Sequence, residues 1–279
     1  MPIGYYCVTM SNSIIHSISA HKLASLAISV AMACAGLCMF LISSDVNQIW
    51  MLAIHSSPLM PPSFWALINL GGDAWVVLLA LLIIERRPGE VTSWVLKTWL
   101  IGAVLSQLVK HFYPLPRPAS VLGLESLSLI DHPPLVSGSM PSGHALAAIS
   151  CALIACVLLH ARGAKFVHLI LIAMLASLVA WARVAVGAHW PSDVIAGAGL
   201  AVGVVVTAHV WERHHSWNDW LRRARGHSFL IVLHILIAMH LMVPQSEFFV
   251  VLFVQFNLAC LSLLKAFLLF KENFWNSHI

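Results

Sequence analysis

Long apolar runs separated by short polar stretches dominate the chain. Eight of these runs approach or reach the roughly 20 residues that an α-helix needs to cross a lipid bilayer. The pattern therefore predicts an all-α, polytopic transmembrane helix bundle, in which a six-helix core is followed by about two C-terminal helices. The runs cover residues 23–42, 64–84, 91–109, 143–160, 166–184, 192–211, 229–242 and 248–270.

The same pattern predicts three parts of the chain. Residues 1–22 are expected to form a cytoplasmic N-terminal tail, and residues 23–211 the six-helix membrane core. Residues 212–279 are expected to form a basic cytoplasmic loop and a two-helix membrane extension. The first twenty residues are polar with few basic residues, so no cleavable signal peptide is predicted. In the seventh apolar run, His234 and His240 are interpreted as packing residues.

Composition excludes an ordinary soluble protein. Of 279 residues, 60% are hydrophobic and 9% are charged, whereas about 25% are charged in a typical soluble domain. The mean hydropathy of +0.88 agrees with a membrane protein. The six cysteines include no CxxC pair, so the sequence predicts no metal site and no cofactor.

The placement of basic residues predicts the orientation in the membrane. Lysine and arginine accumulate in cytoplasmic loops, and a cytoplasmic N-terminus puts twelve of the 15 basic residues on that side. Only Lys110, Arg117 and Arg183 fall on the opposite side, where an anionic ligand is the simplest reason for them. The twelve are Lys22, Arg86, Arg87, Lys97, Arg162, Lys165, Arg213, Arg222, Arg223, Arg225, Lys265 and Lys271.

Three short segments at outer helix ends carry candidate chemistry. They are residues 110–118 (KHFYPLPRP), 141–144 (PSGH) and 183–193 (RVAVGAHWPSD). The cations Lys110, Arg117 and Arg183 can neutralise a phosphate group, and arginine can hold two of its oxygens at once. Ser142 and Gly143 open a helix, whose free backbone N–H groups form a ready anion site. These five residues are therefore predicted to bind phosphate.

Three further residues in these segments are candidate catalytic groups. Asp193 lies four residues after His189, in the first turn of a predicted helix, where it can accept a hydrogen bond from one imidazole nitrogen. The other nitrogen would then be free as a nucleophile. His144 would protonate the leaving group. Taken singly, each residue has a structural explanation such as a helix cap or a headgroup anchor, but one anion site explains all three segments together.

Two other features lie near this predicted site. Asp73 follows Gly71 and Gly72 near the outer end of the second predicted helix, and is either a polar turn residue or a supporting residue. Residues 119–140 are expected to form a long outer loop, either a lid or a plain connector. That loop contains Glu125, Asp131, His132, Pro133 and Pro134.

The combined pattern Lys-x6-Arg-Pro, Pro-Ser-Gly-His and Arg-x5-His-x3-Asp resembles the type 2 phosphatidic acid phosphatase superfamily. That superfamily includes lipid phosphate phosphatases and the soluble vanadium-dependent haloperoxidases. The resemblance covers roughly residues 23–211. One departure is Ala182, since the family usually has serine before the arginine of the third segment. This difference removes a supporting hydrogen bond at most.

The resemblance implies a role for each residue. His189 would attack phosphorus to form a phosphohistidine, oriented by Asp193. His144 would be the general acid and would later activate water. The resemblance also implies hydrolysis without a metal ion. The residues implied to bind the phosphoryl oxygens are Lys110, Arg117, Ser142, Gly143 and Arg183.

The resulting functional prediction is a membrane lipid phosphatase. Candidate substrates are undecaprenyl diphosphate, phosphatidylglycerophosphate, phosphatidate and lipid A phosphate; the alternatives are a lipid phosphotransferase, a vanadate haloperoxidase and a degenerate transporter or scaffold. The membrane spans argue against the haloperoxidase, and the complete set of site residues argues against the degenerate protein.

A basic cluster directly follows a predicted helix and indicates contact with lipid headgroups rather than nucleic acid. It consists of Arg222, Arg223 and Arg225. A bacterial inner membrane, with the site on the periplasmic side, is expected.

Overall fold

The computed structural model describes residues 20–56, 60–85, 89–131 and 138–276. These residues are helical, without strands. The tail 1–19, the basic residues Arg86 and Arg87, and the loop segment 132–137 lie outside the described residues. The helices are α1 (Ala20–Ile42), α2 (Val46–Ser56), α3 (Pro62–Leu70), α4 (Ala74–Ile84), α5 (Thr92–Phe112), α6 (Pro118–Leu122), α7 (Gly143–Ala161), α8 (Phe166–Ala185), α9 (Pro191–His214), α10 (Asn218–Leu221), α11 (Ala224–Met242) and α12 (Phe249–Asn276), with a 3-10 turn at Leu124–Ser126.

The structure confirms the all-α membrane architecture. Helices α7, α8, α9, α11 and α12 are each long and apolar enough to cross a bilayer. The bent pairs α1–α2 and α3–α4 raise the number of candidate spans among the described residues to seven. Helix α5 coincides with the third predicted span but is not one of these candidates, because lysines and other polar residues lower its hydropathy. The chain is therefore an integral membrane protein.

One predicted span is a broken helix, and another is followed by a helix that the sequence did not predict. The first predicted span, 23–42, is the continuous helix α1, and α2 follows it after a bend of 88°. The second run divides into α3 and α4, which meet at 60° around Gly71 and Gly72. A new helix, α4, begins after Asp73, because Asp73 Oδ1 accepts hydrogen bonds from the backbone N–H groups of Trp75 and Val76 at 2.9 and 3.1 Å. The prediction of one continuous helix over 64–84 was wrong, since side-chain capping competed with the apolar run.

Helix α9 is the centre of the core and packs on α1, α5 and α7. Glycines make this packing close. A Cβ atom added at Gly197 would come within 2.6 Å of the Ser142 carbonyl oxygen, and one at Gly199 within 2.6 Å of Cys34 Cβ. The beginning of α9 is consequently held against the beginning of α7, where two of the three predicted site segments meet.

The C-terminal extension packs on the broken second span. Helices α11 and α12 form a pair, with α11 against α4 and α12 against α3. His234 is a packing residue, as predicted, and its Nδ1 lies 3.1 Å from Ser262 Oγ. The same prediction was wrong for His240, whose Nε2 lies 3.2 Å from Asp73 Oδ2. The extension thus contacts the core beside the candidate site.

At the opposite end of the bundle, Lys97 is fully buried rather than exposed. Its Nζ lies 2.5 Å from Glu212 Oε2 and donates a hydrogen bond to Ser93 Oγ at 3.1 Å. The ring of Trp217 lies 4.7 Å from the same Nζ. A buried cation of this kind needs such partners, because an unpaired charge would be strongly destabilising.

Candidate active site

Backbone hydrogen bonds bring the three predicted segments together. Leu115 in the first segment accepts the N–H groups of Gly138 and Ser139 at 3.1 and 3.0 Å, just before the second segment. Ser142 N–H donates to the Asp193 carbonyl at 2.9 Å, which joins the second segment to the third. Residues far apart in sequence are therefore held at one end of the bundle by main-chain contacts.

His189 and Asp193 make the contact that the four-residue spacing predicts. His189 Nδ1 lies 3.3 Å from Asp193 Oδ2, and both side chains are buried. Arg117 Nη1, which can only donate, lies 3.5 Å from the opposite ring nitrogen, Nε2. This arrangement favours the tautomer with hydrogen on Nδ1 and a lone pair on Nε2.

The surroundings keep His189 neutral. Burial lowers the pKa of His189 well below its usual range, and the positive charges of Arg183, Arg117 and Lys110 lower it further. Each of these influences disfavours the imidazolium ion. A neutral ring with a free Nε2 is the form that can act as a nucleophile at pH 7.

The three predicted cations surround this nitrogen from different elements. Arg117, just before α6, donates to the Ala188 carbonyl at 3.0 Å. Arg183, near the end of α8, donates to Asn69 Oδ1 at 2.6 Å. Lys110, near the end of α5, donates to the Gly138 carbonyl at 2.6 Å. The buried Nε atoms of both arginines have no hydrogen-bond partner in the described structure, so each arginine retains donor capacity for an anion.

The start of α7 has the predicted geometry. Ser142 is the N-cap, and its Oγ accepts the backbone N–H of Ala145 at 3.4 Å. A Cβ added at Gly143 would meet open space, so the backbone here is accessible to a ligand. Free N–H groups at a helix start, next to buried cations, can hold the oxygens of an anion.

His144 stands between this anion site and a cavity. It lies within electrostatic range of His189, Arg183 and Arg117. On its other side it packs against Gly72, where an added Cβ would come within 2.8 Å of His144 Cβ. A cavity of about 340 Å³ begins at Gly143 and His144 and runs between α4, α5 and α7. His144 can therefore face both an anion and the group attached to it.

Residues 91–219 match the sequence model described as the PAP2 superfamily. This segment of the chain is similar to the PAP2 superfamily. A curated relative is an undecaprenyl-diphosphatase of Sulfolobus acidocaldarius, 33% identical over 123 residues. That match covers 44% of this chain and 56% of the relative, so the chain spans little more than half of the relative's length.

Two solved structures are also similar to this chain. LpxE of Aquifex aeolicus is 26% identical, with a TM-score of 0.49, and the match covers 62% of this chain and 98% of that one. A PAP2-type phosphatidylglycerolphosphate phosphatase from Bacillus subtilis is 19% identical, with a TM-score of 0.44. That second match covers 70% of this chain and 96% of that one.

Several residues around the three site segments were not predicted from the sequence. Ser139 donates a short hydrogen bond from its Oγ to Asp193 Oδ2. Asn69 holds Arg183, and Asn47 exchanges hydrogen bonds with Ser192 at the start of α9, both at 3.1 Å. No spacing pattern marks Ser139 or the asparagines. His240 could have been singled out from the sequence, because a histidine inside an apolar membrane helix often has a functional partner.

The candidate site is flanked by residues 119–140, which were predicted to form a long outer loop. Its described part instead contains α6 and the 3-10 turn. Ile130 N–H donates to the Val186 carbonyl at 3.3 Å, so this segment is attached next to the third site segment. Ala182, the departure from the family pattern, is fully buried. Among the described residues, no group of three or more His, Cys, Asp or Glu side chains is arranged to hold a metal ion.

Proposed function

We propose that the protein is a lipid phosphatase that removes phosphate from a lipid phosphate or diphosphate through a phosphohistidine at His189. The observation that carries the proposal is the His189–Asp193 contact of 3.3 Å, with Arg117 Nη1 only 3.5 Å from the free ring nitrogen. This is a nucleophile with its orienting carboxylate on one side and an oxyanion donor on the other. The match to the PAP2 superfamily and the printed name of the archaeal relative, a diphosphatase, support removal of phosphate.

In the first step, the Nε2 lone pair of His189 attacks phosphorus and the bond from phosphorus to the leaving oxygen breaks. His144 transfers a proton to that oxygen, so the lipid leaves in protonated form. The charge on the other phosphoryl oxygens is stabilised as it develops. The groups that do so are the side chains of Lys110, Arg117 and Arg183 and the backbone at Ser142 and Gly143.

In the second step, water attacks the phosphohistidine. His144, now neutral, removes a proton from the water molecule, the N–P bond breaks, and inorganic phosphate leaves. His189 is regenerated with its lone pair on Nε2. Asp193 stays ionised and keeps the ring in one tautomer throughout. Neither step uses a metal ion or a cofactor.

The orientation belongs to the same proposal. The three site cations fall on the side opposite the other twelve basic residues, so the active site faces away from the cytoplasm. We assign the protein to a bacterial inner membrane, with a periplasmic active site. The substrate and the surrounding membrane lipids are its expected partners, and the three residues Arg222, Arg223 and Arg225 contact lipid headgroups rather than nucleic acid.

The test is phosphate release by the purified protein from a panel of lipid phosphates, with EDTA present. His189→Ala is expected to lose at least about 10³-fold in kcat, the order seen when a nucleophile is removed. Asp193→Asn is expected to lose nearly as much, because the amide cannot select the same tautomer. Full activity of His189→Ala contradicts the mechanism. Loss of wild-type activity in EDTA, with recovery on adding a divalent metal, contradicts the metal-free assignment.

The acceptor is tested in the same assay. If the phosphoryl group moves to an added acceptor lipid faster than to water, the protein is a phosphotransferase that uses the same phosphohistidine. Trapping of labelled phosphate on the protein, lost in His189→Ala, distinguishes both reactions from direct attack by water.

A further inference from the structure

The cavity behind His144 has the position that the leaving group must occupy, if the proposed function holds. Gly143 and His144 form its outer end, and Leu81, Val95 and Ile154 line its inner part. Ile154 lies eleven residues along α7 from Gly143, so the cavity reaches about 16 Å from the site at 1.5 Å per helical residue. An apolar inner part of this depth fits the hydrocarbon chain of a lipid.

The charge of this cavity contrasts with that of the phosphate site. Lys110, Arg117 and Arg183 surround His189, but no lysine or arginine is among the described residues that line the cavity. Asp73 is the one acidic side chain among those lining residues. Helix α5 contributes neutral polar groups to the lining, among them Ser106 and Gln107. A ligand therefore passes from a strongly positive region to one without positive side chains.

The Asp73 carboxylate is fixed at the outer end of the cavity. Its Oδ1 caps α4 through Trp75 and Val76, and its Oδ2 lies 3.2 Å from His240 Nε2. Gln245 Nε2 lies 2.7 Å from the same His240 nitrogen. Because the Asp73 carboxylate lies directly against the His240 ring, the pair offers hydrogen bonds but no net positive charge.

We propose that the Asp73–His240 pair forms a leaving-group subsite that accepts an uncharged lipid alcohol and rejects a second phosphate. The preferred substrates are then lipid phosphomonoesters. A lipid diphosphate would put the negative charge of its inner phosphate next to Asp73, with no lysine or arginine among the cavity's described lining residues to compensate it. The hydroxyl oxygen of a neutral lipid alcohol can instead share hydrogen bonds with the pair as His144 protonates it.

The extension gains a role through this subsite, because His240 belongs to α11 and not to the six-helix core. The residue completes one wall of the cavity at the level of His144. Substrate selection would then depend on the contact between the core and the extension.

The experiment compares phosphate release from farnesyl phosphate and farnesyl diphosphate, which have the same hydrocarbon chain. We expect the wild-type kcat/KM to be at least about tenfold higher for the monophosphate. Asp73→Asn keeps a good N-cap for α4 but removes the charge, and we expect it to reduce that ratio at least threefold. Glu125→Gln is the matched control: it removes one carboxylate charge from an exposed residue on the same side and should leave the ratio unchanged.

Each result decides one statement. Equal or preferred use of farnesyl diphosphate by the wild type overturns the subsite, whatever the variants do. An unchanged ratio in Asp73→Asn, or an equal change in Glu125→Gln, also overturns it. In all these cases, the proposed phosphatase activity is retained if the wild type releases phosphate and His189→Ala does not. Absence of release from every lipid tested contradicts the phosphatase itself.

Discussion

Asp193 Oδ2 accepts from three donors: the Ser139 hydroxyl, the Trp190 backbone N–H at 2.9 Å and His189 Nδ1 at 3.3 Å. The backbone donor fixes the carboxylate to the start of α9, and Ser139 fixes it to the loop before α7. His189 is therefore aligned by groups from two segments. These contacts of single side chains lead to two predictions.

Removal of the Ser139 hydroxyl should reduce turnover without abolishing it. A lost hydrogen bond to a buried carboxylate costs about 1–2 kcal/mol, which corresponds to roughly a tenfold change in rate. We expect Ser139→Ala to lower kcat by about that factor, with little change in KM. Ser177→Ala, which removes an exposed hydroxyl bonded within α8, should leave both constants unchanged. An unaltered kcat in Ser139→Ala would show that Asp193 does not depend on this contact.

The acid limb of the pH profile should depend on the nearby cations. Activity requires neutral His189, and burial with three positive charges holds its pKa low. The kcat/KM value should therefore stay on its plateau through pH 6.5 and fall only at lower pH. Lys110→Gln removes one of the charges, so the His189 pKa rises and the acid limb moves to higher pH, by up to about one unit. A shift to lower pH in this variant would contradict the assignment of the limb to His189.

Most site residues could be predicted because their spacing and residue types indicate the chemistry. They are the three site cations and, in addition, Ser142, His144, His189 and Asp193. Ser139 and Asn69 could not be predicted, since each is one polar residue in an irregular segment or a bent helix. Their role depends on a fold that brings residues 54 and 114 positions apart into contact. His240 was misread because its partner Asp73 lies 167 residues away.

At the scale of elements, glycine determines how closely α9 approaches α7. At Gly197, an added Cβ would meet the Ser142 carbonyl oxygen at 2.6 Å, and a backbone atom cannot move aside easily. At Gly203, six residues along the same helix, an added Cβ meets nothing within 4 Å. The two positions form a matched pair.

We expect Gly197→Ala to lower the midpoint of thermal unfolding in detergent by several degrees. The methyl group forces the two helices apart beside the active site, so kcat should fall as well. Gly203→Ala should raise the midpoint or leave it unchanged, because alanine favours a helix by about 1 kcal/mol over glycine. Equal stability of the two variants would contradict the close approach of α9 and α7.

The helix breaks were harder to predict than the helices. Apolar length predicted both ends of α7 and α8 to within about one residue, and those of α9 to within about three, because the three helices are apolar along most of their length. The breaks at 43–45 and 71–73 fall inside or beside apolar runs, where short polar turns look like tolerated interruptions. Which interruption ends a helix depends on capping contacts, such as those of Asp73 Oδ1 with the backbone N–H groups of Trp75 and Val76.

At the scale of the whole molecule, the two ends of the bundle carry different chemistry. The end with the site exposes Glu125, whereas the opposite end exposes Ser216 in the basic stretch after α9. The proposed orientation places the first outside the cell and the second inside. The basic-residue pattern predicts this sidedness from sequence, but the depth of Lys97 within the bundle was not predictable.

Cysteine labelling tests the sidedness. In a background with all six native cysteines replaced, Glu125→Cys should react with a membrane-impermeant maleimide in intact cells. Ser216→Cys should react only after the membrane is opened. The reverse labelling pattern would put the active site in the cytoplasm and contradict the charge-based assignment.

The Lys97–Glu212 pair has a consequence for how the protein enters the membrane during synthesis. Helix α5 is made 115 residues before the carboxylate that neutralises its lysine. Until α9 emerges, Lys97 lacks this partner, so α5 is expected to remain at the membrane surface or beside the insertion machinery. Nascent chains truncated before residue 212 should then leave α5 open to protease, and full-length chains should protect it. Early protection of α5 would contradict this order of assembly.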